Sequence, residues 1–245
     1  EFEVDLPAAG SAGQWVTLTL AENARIGDLT LPWGTVSEDP RLVTDDHLLL
    51  QVSDPVPTVG IARAPAPPEI DGALDDPVWQ GDPVAANMNL LRGGKPATEQ
   101  TTLWMSYDDA GVYIAFRCAE SMMSKTKAEH TERGDPLYKD DDVEVFILPL
   151  GARSAFQFAV NSLGAINDNF GNDADWRAAA KRYEDRWTVE ILIPYETVEV
   201  AGPPERGVSW AAQFGRQQKP KAEVSAWTPG TAFNRPEGFG VILFD

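Results

Sequence analysis

Cysteine is nearly absent. Cys118 is the one thiol in 245 residues, so no disulfide can form within the chain and a disulfide-stapled miniprotein is excluded. It falls in an apolar, strand-like run and reads as a core residue. Histidine is almost as scarce, with only His47 and His130. One thiol and two imidazoles are a poor basis for a zinc site, and neither histidine belongs to a nucleophile motif such as G-x-S-x-G. No run approaches the roughly 20 apolar residues that span a bilayer, and no signal-peptide pattern opens the chain. Basic residues are also few. Lys and Arg total 20 against 38 Asp and Glu, a formal charge of −18 that repels phosphate backbones and anionic lipid headgroups. Nucleic acid and membrane surfaces are therefore excluded as expected partners, while cations are attracted and clustered carboxylates are the ligands calcium takes. The opening Glu1-Phe2-Glu3, without methionine, suggests one module of a longer polypeptide.

Helical periodicity is scarce too. Short alternating apolar runs bounded by turn residues recur throughout, and 20 glycines and 19 prolines are spread along the chain. The fold class is all-β, an antiparallel β-sandwich of jelly-roll type with a small N-terminal β extension. Residues 1–65 form that extension, with strand candidates at Trp15–Leu20 and His47–Val52, and end in the stiff Ala64-Pro65-Ala66-Pro67-Pro68. Residues 66–245 form the sandwich. Thr102–Tyr107 and Val112–Cys118 read as a hairpin around Asp108-Asp109-Ala110-Gly111. Five further strands are expected at Val143–Leu148, Phe156–Asn161, Trp187–Ile193, Trp210–Phe214 and Gly240–Phe244. Short helical turns are expected within 76–81, 121–133 and 195–198.

Alternation along these strands places Glu144, Gln157, Asn161, Gln213 and, just beyond, Arg216 on one polar sheet surface. Amides, a carboxylate and a guanidinium on a rigid sheet are groups that hydrogen-bond sugar hydroxyls. The same residues would equally decorate a solvated sheet face. Trp79, Trp104, Trp187 and Trp210 sit in strand patterns and read as core. Trp176, Trp227, Tyr138 and Phe233 sit in loop-like surroundings, where aromatic rings more often meet ligands. Carboxylates cluster at 71–76, 108–109, 140–142 and 168–175. These either hold calcium or serve as solvated turn residues. With so many acidic residues, a glycosidase-like pair is inevitable and uninformative. A haem held by Met122 or Met123 with His130 is a further alternative.

The run Pro68-Glu69-Ile70-Asp71-Gly72-Ala73-Leu74-Asp75-Asp76-Pro77-Val78-Trp79 resembles the opening of the family 9 carbohydrate-binding modules. Later motifs follow in the family's order: Thr102-Leu103-Trp104, Asp141-Asp142-Val143-Glu144-Val145-Phe146, Gln157-Phe158-Ala159-Val160-Asn161, Trp187 to Pro194, and Trp227-Thr228-Pro229 through Gly240. The resemblance, over about residues 66–245, implies a sandwich that binds a saccharide or polysaccharide without cleaving it. It also implies a secreted or cell-surface bacterial protein of polysaccharide degradation, joined to other modules, with structural calcium. The implied sugar contacts are Tyr138 and Phe233 as the two flanking rings, with Glu144, Asn161 and Gln213; Arg216 is added from the strand reading. Asp141, Asp142, Asp168, Asp173 and Asp175 are the candidate calcium ligands. The chain departs from the family pattern at Ala159, where an Arg is expected, and at Gly230, where an Asn is expected. An accessory domain of a polysaccharide-degrading enzyme, or a structural domain whose sugar site has decayed, are the alternatives.

Overall fold

The computed structural model describes residues 56–169 and 174–245, together with the backbone of two strands near the N-terminus. The chain divides into two compact units, one spanning Trp15–Val56 and the other containing Pro57–Asp245. In the first, β1 (Asp28–Gly34) pairs antiparallel with β2 (Asp45–Gln51), the latter overlapping the strand expected at 47–52. The strand expected at Trp15–Leu20 lies outside the described residues.

The second unit is a β-sandwich. One sheet has the order β10-β11-β6-β5, from β5 (Thr101–Tyr107), β6 (Gly111–Ala119), β10 (Arg177–Arg182) and β11 (Arg186–Pro194). The other runs β3-β14-β12-β7-β8-β9, from β3 (Thr58–Ile61), β7 (Asp142–Leu148), β8 (Phe156–Asn161), β9 (Ile166–Asp168), β12 (Ser209–Gln218) and β14 (Gly240–Phe244). The short β13 (Glu223–Ala226) pairs with β12 and with β4 (Asn89–Leu90). Every pairing is antiparallel except β3 with β14. Through that parallel pairing Thr58–Ile61, ahead of the prolines at 65–68, completes the edge of the large sheet.

Leu103, Ile114, Phe116 and Ile191 from the small sheet pack against Val145, Phe158, Phe214 and Ile242 from the large one, all fully buried. Phe116 meets Phe214 edge-on at 6.2 Å, and Tyr107 meets Phe244 at 5.0 Å. Cys118 is buried in this core, and burial pushes its thiol pKa up to about 11. The 108–111 hairpin forms as expected, with Asp108 Oδ1 accepting the Ala110 N–H at 2.7 Å. The helical turns are single 3₁₀ turns, Pro77–Gln80, Met123–Lys125 and Tyr195–Val198 among them. Among the described residues no helix is long and apolar enough to cross a membrane.

The 68–79 motif has an architectural role. Glu190 of β11, fully buried, accepts the backbone N–H groups of Asp71 (3.0 Å) and Gly72 (2.6 Å) and the Trp79 indole N–H (2.6 Å). Gly72 has φ +82°, and a Cβ there would lie 2.8 Å from the Ala180 carbonyl carbon. Only glycine fits that close approach without strain. The motif is thus clamped onto the outer face of the small sheet, where Trp79 and Trp104 form a second apolar cluster with Tyr113 and Leu192.

Candidate functional site

The outer face of the large sheet carries a polar network centred on Glu144. In register, Glu144 on β7 lies between Ala159 on β8 and Gly215 on β12, two small residues that leave the carboxylate space. Gln157 donates its Nε2 to Glu144 Oε2 at 2.7 Å, and Gln217 donates to Oε1 at 3.0 Å. Burial raises the Glu144 pKa above its ordinary 4.5, and the two amide donors and Lys219 only partly oppose this. Lys219 Nζ bridges outward, donating to Gln217 Oε1 and to the Tyr138 carbonyl, each at 2.6 Å. It thereby ties the turn Leu137–Lys139 to the sheet rim, where Tyr138 stands 58% exposed. On the other flank the Phe233 ring lies over Gly215, 2.5 Å from where a Cβ would be.

Of the expected sugar contacts, Tyr138, Glu144 and Phe233 converge on this face, although Phe233 is 8% exposed and packs near Phe146 and Phe239 at 6.3 and 6.2 Å from the Phe146 ring. Asn161 and Gln213 share the face but their side chains are turned to the backbone. Asn161 Nδ2 donates to the His130 carbonyl and to Asp140 Oδ2, while its Oδ1 accepts from Leu163 and Ala165. Gln213 donates to the Thr228 carbonyl at 2.7 Å and accepts the Thr228 N–H at 3.0 Å. Both are positioning residues for the loops that frame the face.

Arg216 requires a correction. It lies an odd number of residues from Gln213, so it points to the opposite side of β12, into the core. There it is fully buried, pairs with Glu120 Oε2 at 3.2 Å and stacks over Trp187 at 5.7 Å. Trp176 and Trp227 are also core residues rather than loop contacts. Trp176 is 2% exposed and meets Phe158 edge-on at 5.1 Å, and Trp227 packs on Phe214 at 5.5 Å. Gln217 and Lys219 went unnoticed in the sequence, although period-2 spacing from Gln213 through Gly215 places them on this face.

Among the described residues, Asp141 and Asp168 of the expected calcium ligands are engaged with N–H donors. Asp141 accepts backbone N–H groups from Lys127 (2.7 Å) and Lys219 (3.0 Å), so its oxygens face donors rather than a cation. Asp168 accepts from Arg133 and from the Trp176 indole, and Asp175 is exposed at the surface. Asp173 lies outside the described residues. Asp142 is buried with both oxygens unpartnered; burial first, then Glu144, pushes its pKa well above 3.8. The neighbouring Asp140 is held below its usual value despite burial by N–H donors from His130, Asn161 and Glu129. No group of three or more His, Cys, Asp or Glu among the described residues is arranged to hold a metal ion.

Residues 70–245 match the model of the carbohydrate family 9 binding domain-like family. Among solved structures, a family 9 carbohydrate-binding module from Caldicellulosiruptor kristjanssonii in complex with cellotriose is similar at TM-score 0.60 and 16% identity, covering 77% of this chain and 93% of that one. The same description with glucose bound gives TM-score 0.59, 16% identity, 77% and 95%. A Bacteroides uniformis protein described as a candidate carbohydrate-binding protein gives TM-score 0.62 at 14% identity, covering 78% and 100%. Comparison with curated proteins finds no match.

Proposed function

Because the chain belongs to the carbohydrate family 9 binding domain-like family, we propose that it is a non-catalytic module that binds a saccharide on the outer face of its large sheet. The observation that carries this is the exposed Tyr138 ring at the rim of a network in which half-buried Gln157 and Gln217 donate to the buried Glu144. Such a ring offers an apolar face to the C–H side of a pyranose, while the carboxylate and amides supply directed acceptors and donors for its hydroxyls. The relatives with cellotriose and glucose bound support a glucose-based oligosaccharide as ligand. The wider reading is a binding module joined to a secreted polysaccharide-degrading polypeptide, with no cleavage by this chain itself.

Calorimetric titration with cellotriose and glucose tests the reading. Saturable heat is expected, weakened by Tyr138→Ala through lost stacking of about 0.5 to 1.5 kcal/mol, roughly two- to tenfold in Kd. Glu144→Gln is expected to weaken binding as well. Absence of heat with both sugars, or affinity unchanged in both variants, would overturn the assignment.

A further inference from the structure

The opposite outer face, on the small sheet, holds a groove of about 560 Å³. Its volume falls in the roughly 300–1,000 Å³ range of small-ligand sites. Arg117 projects from the floor on β6, paired in register with Thr102 on β5 and Thr188 on β11. Its guanidinium lies over the Trp104 ring at 5.1 Å, and its Nη2 approaches Thr102 Oγ1 at 3.4 Å. Stacking on an indole fixes the plane of the guanidinium fork, which is the geometry that grips a carboxylate in bidentate fashion. Yet Arg117 is exposed and makes no ion pair among the described residues.

Its head group is therefore open to an incoming anion, on a chain that is acidic overall. Arg186, the other guanidinium lining the groove, is paired with Asp185 at 2.8 Å and stacks over Tyr183 at 4.2 Å. The groove therefore has a small local excess of positive charge on an acidic protein. The exposed amides of Gln80 and Asn87 add neutral hydrogen-bonding groups at its wall. A neutral ligand would leave the Arg117 fork unused, and a phosphate or bare anion would leave the amides unused.

We propose that this groove is a second saccharide site, distinct from the Glu144 face, and that it takes an acidic sugar whose carboxylate pairs with Arg117. A uronic-acid oligosaccharide has that chemistry. The site stands independently of the Glu144 reading, because no residue of one face contributes to the other.

The test titrates the full chain with trigalacturonate at low salt, with its methyl-esterified form and poly-glutamate as comparators. Binding of trigalacturonate is expected to fall at least tenfold in Arg117→Gln, to survive in part in Arg117→Lys, and to weaken as salt rises. It is expected to be unchanged in Glu144→Gln, which reports on the other face. Tyr183→Ala, at a half-buried position, provides a second groove variant and is expected to weaken binding. The proposal is overturned if trigalacturonate does not bind, if Arg117→Gln leaves its affinity intact, if the esterified form binds equally, or if poly-glutamate binds as tightly. Loss of cellotriose binding in Glu144→Gln alone would speak only to the first site.

Discussion

Replacing Arg216 by methionine separates a core role from a ligand role. Arg216 Nη2 is 3.2 Å from Glu120 Oε2, and both side chains are fully buried. Glu120 keeps two other donors, the Gln218 amide at 2.8 Å and the Met122 N–H at 2.8 Å, but loses the cation it is paired with. Removing one member of a buried pair leaves an uncompensated charge and costs about 3 to 5 kcal/mol. The double variant Arg216→Met, Glu120→Gln removes both charges while retaining amide hydrogen bonding, so most of that loss is expected to be recovered. Equilibrium urea unfolding reads both quantities, provided the slope of the transition is unchanged. A loss under about 1 kcal/mol in the single variant would refute the buried-pair argument, as would failure of the double variant to recover stability. Cellotriose affinity measured on the folded double variant is expected to match that of the unaltered protein, because Arg216 faces away from Glu144.

Asp142→Asn is expected to stabilise the protein at neutral pH. The folded carboxyl is held protonated above its ordinary pKa of 3.8, chiefly by burial, whereas the unfolded one ionises there. The folded state thus binds more protons, so stability falls as pH rises from about 4 through the raised value. The gain from asparagine should be present at pH 7 and absent near pH 3.5, and a gain of equal size at both would refute the cause. Glu144 gives a pH signature in binding: its raised pKa means that acidification protonates the acceptor before an ordinary glutamate would be affected, so cellotriose affinity should decline from somewhat above pH 4.5 downward. A flat affinity profile over that range would remove Glu144 from the contact set. Gly72→Ala forces a Cβ to within 2.8 Å of backbone at φ +82° and is expected to lower stability by about 1 to 3 kcal/mol, read by thermal unfolding. An unchanged melting temperature would show that the 68–79 motif is not clamped as described.

The sandwich was legible because alternation is a strong signal when one face of each strand is buried: Val143, Val145 and Ile147, or Phe156, Phe158 and Val160, announce their inward face directly. Other strands lacked that signal. Arg-Ala-Ala-Ala-Lys-Arg in β10 is an edge strand whose inward residues are the alanines 178 and 180, too small to mark a core face. β3 is four residues long and joins only through a parallel partner supplied by the other end of the chain, a pairing no local pattern encodes. Trp176 and Trp227 misled for a related reason. Their neighbours are turn-forming, but the backbone folds back so that the rings fill the core against Phe158 and Phe214.

The site was legible only in part because hydrogen-bond consumption is invisible in sequence. Glu144, Asn161 and Gln213 look alike as polar residues on one face. Tertiary contacts divide them: the amide groups of Asn161 and Gln213 are spent on backbone at Leu163, Ala165 and Thr228, while Glu144 meets only side chains. Backbone partners are fixed by the fold, so breaking them for a ligand would leave buried groups unpaired, at about 1 to 3 kcal/mol each. Side-chain amides can instead reorient around Glu144 without disturbing a strand. On the proposed reading, recognition on this face falls to Glu144, Gln157, Gln217 and the Tyr138 ring, with Asn161 and Gln213 holding the loops that place them. The 68–79 motif lies on the other sheet, where Asp71, Gly72 and Trp79 donate to Glu190, so it contributes nothing to the Glu144 face.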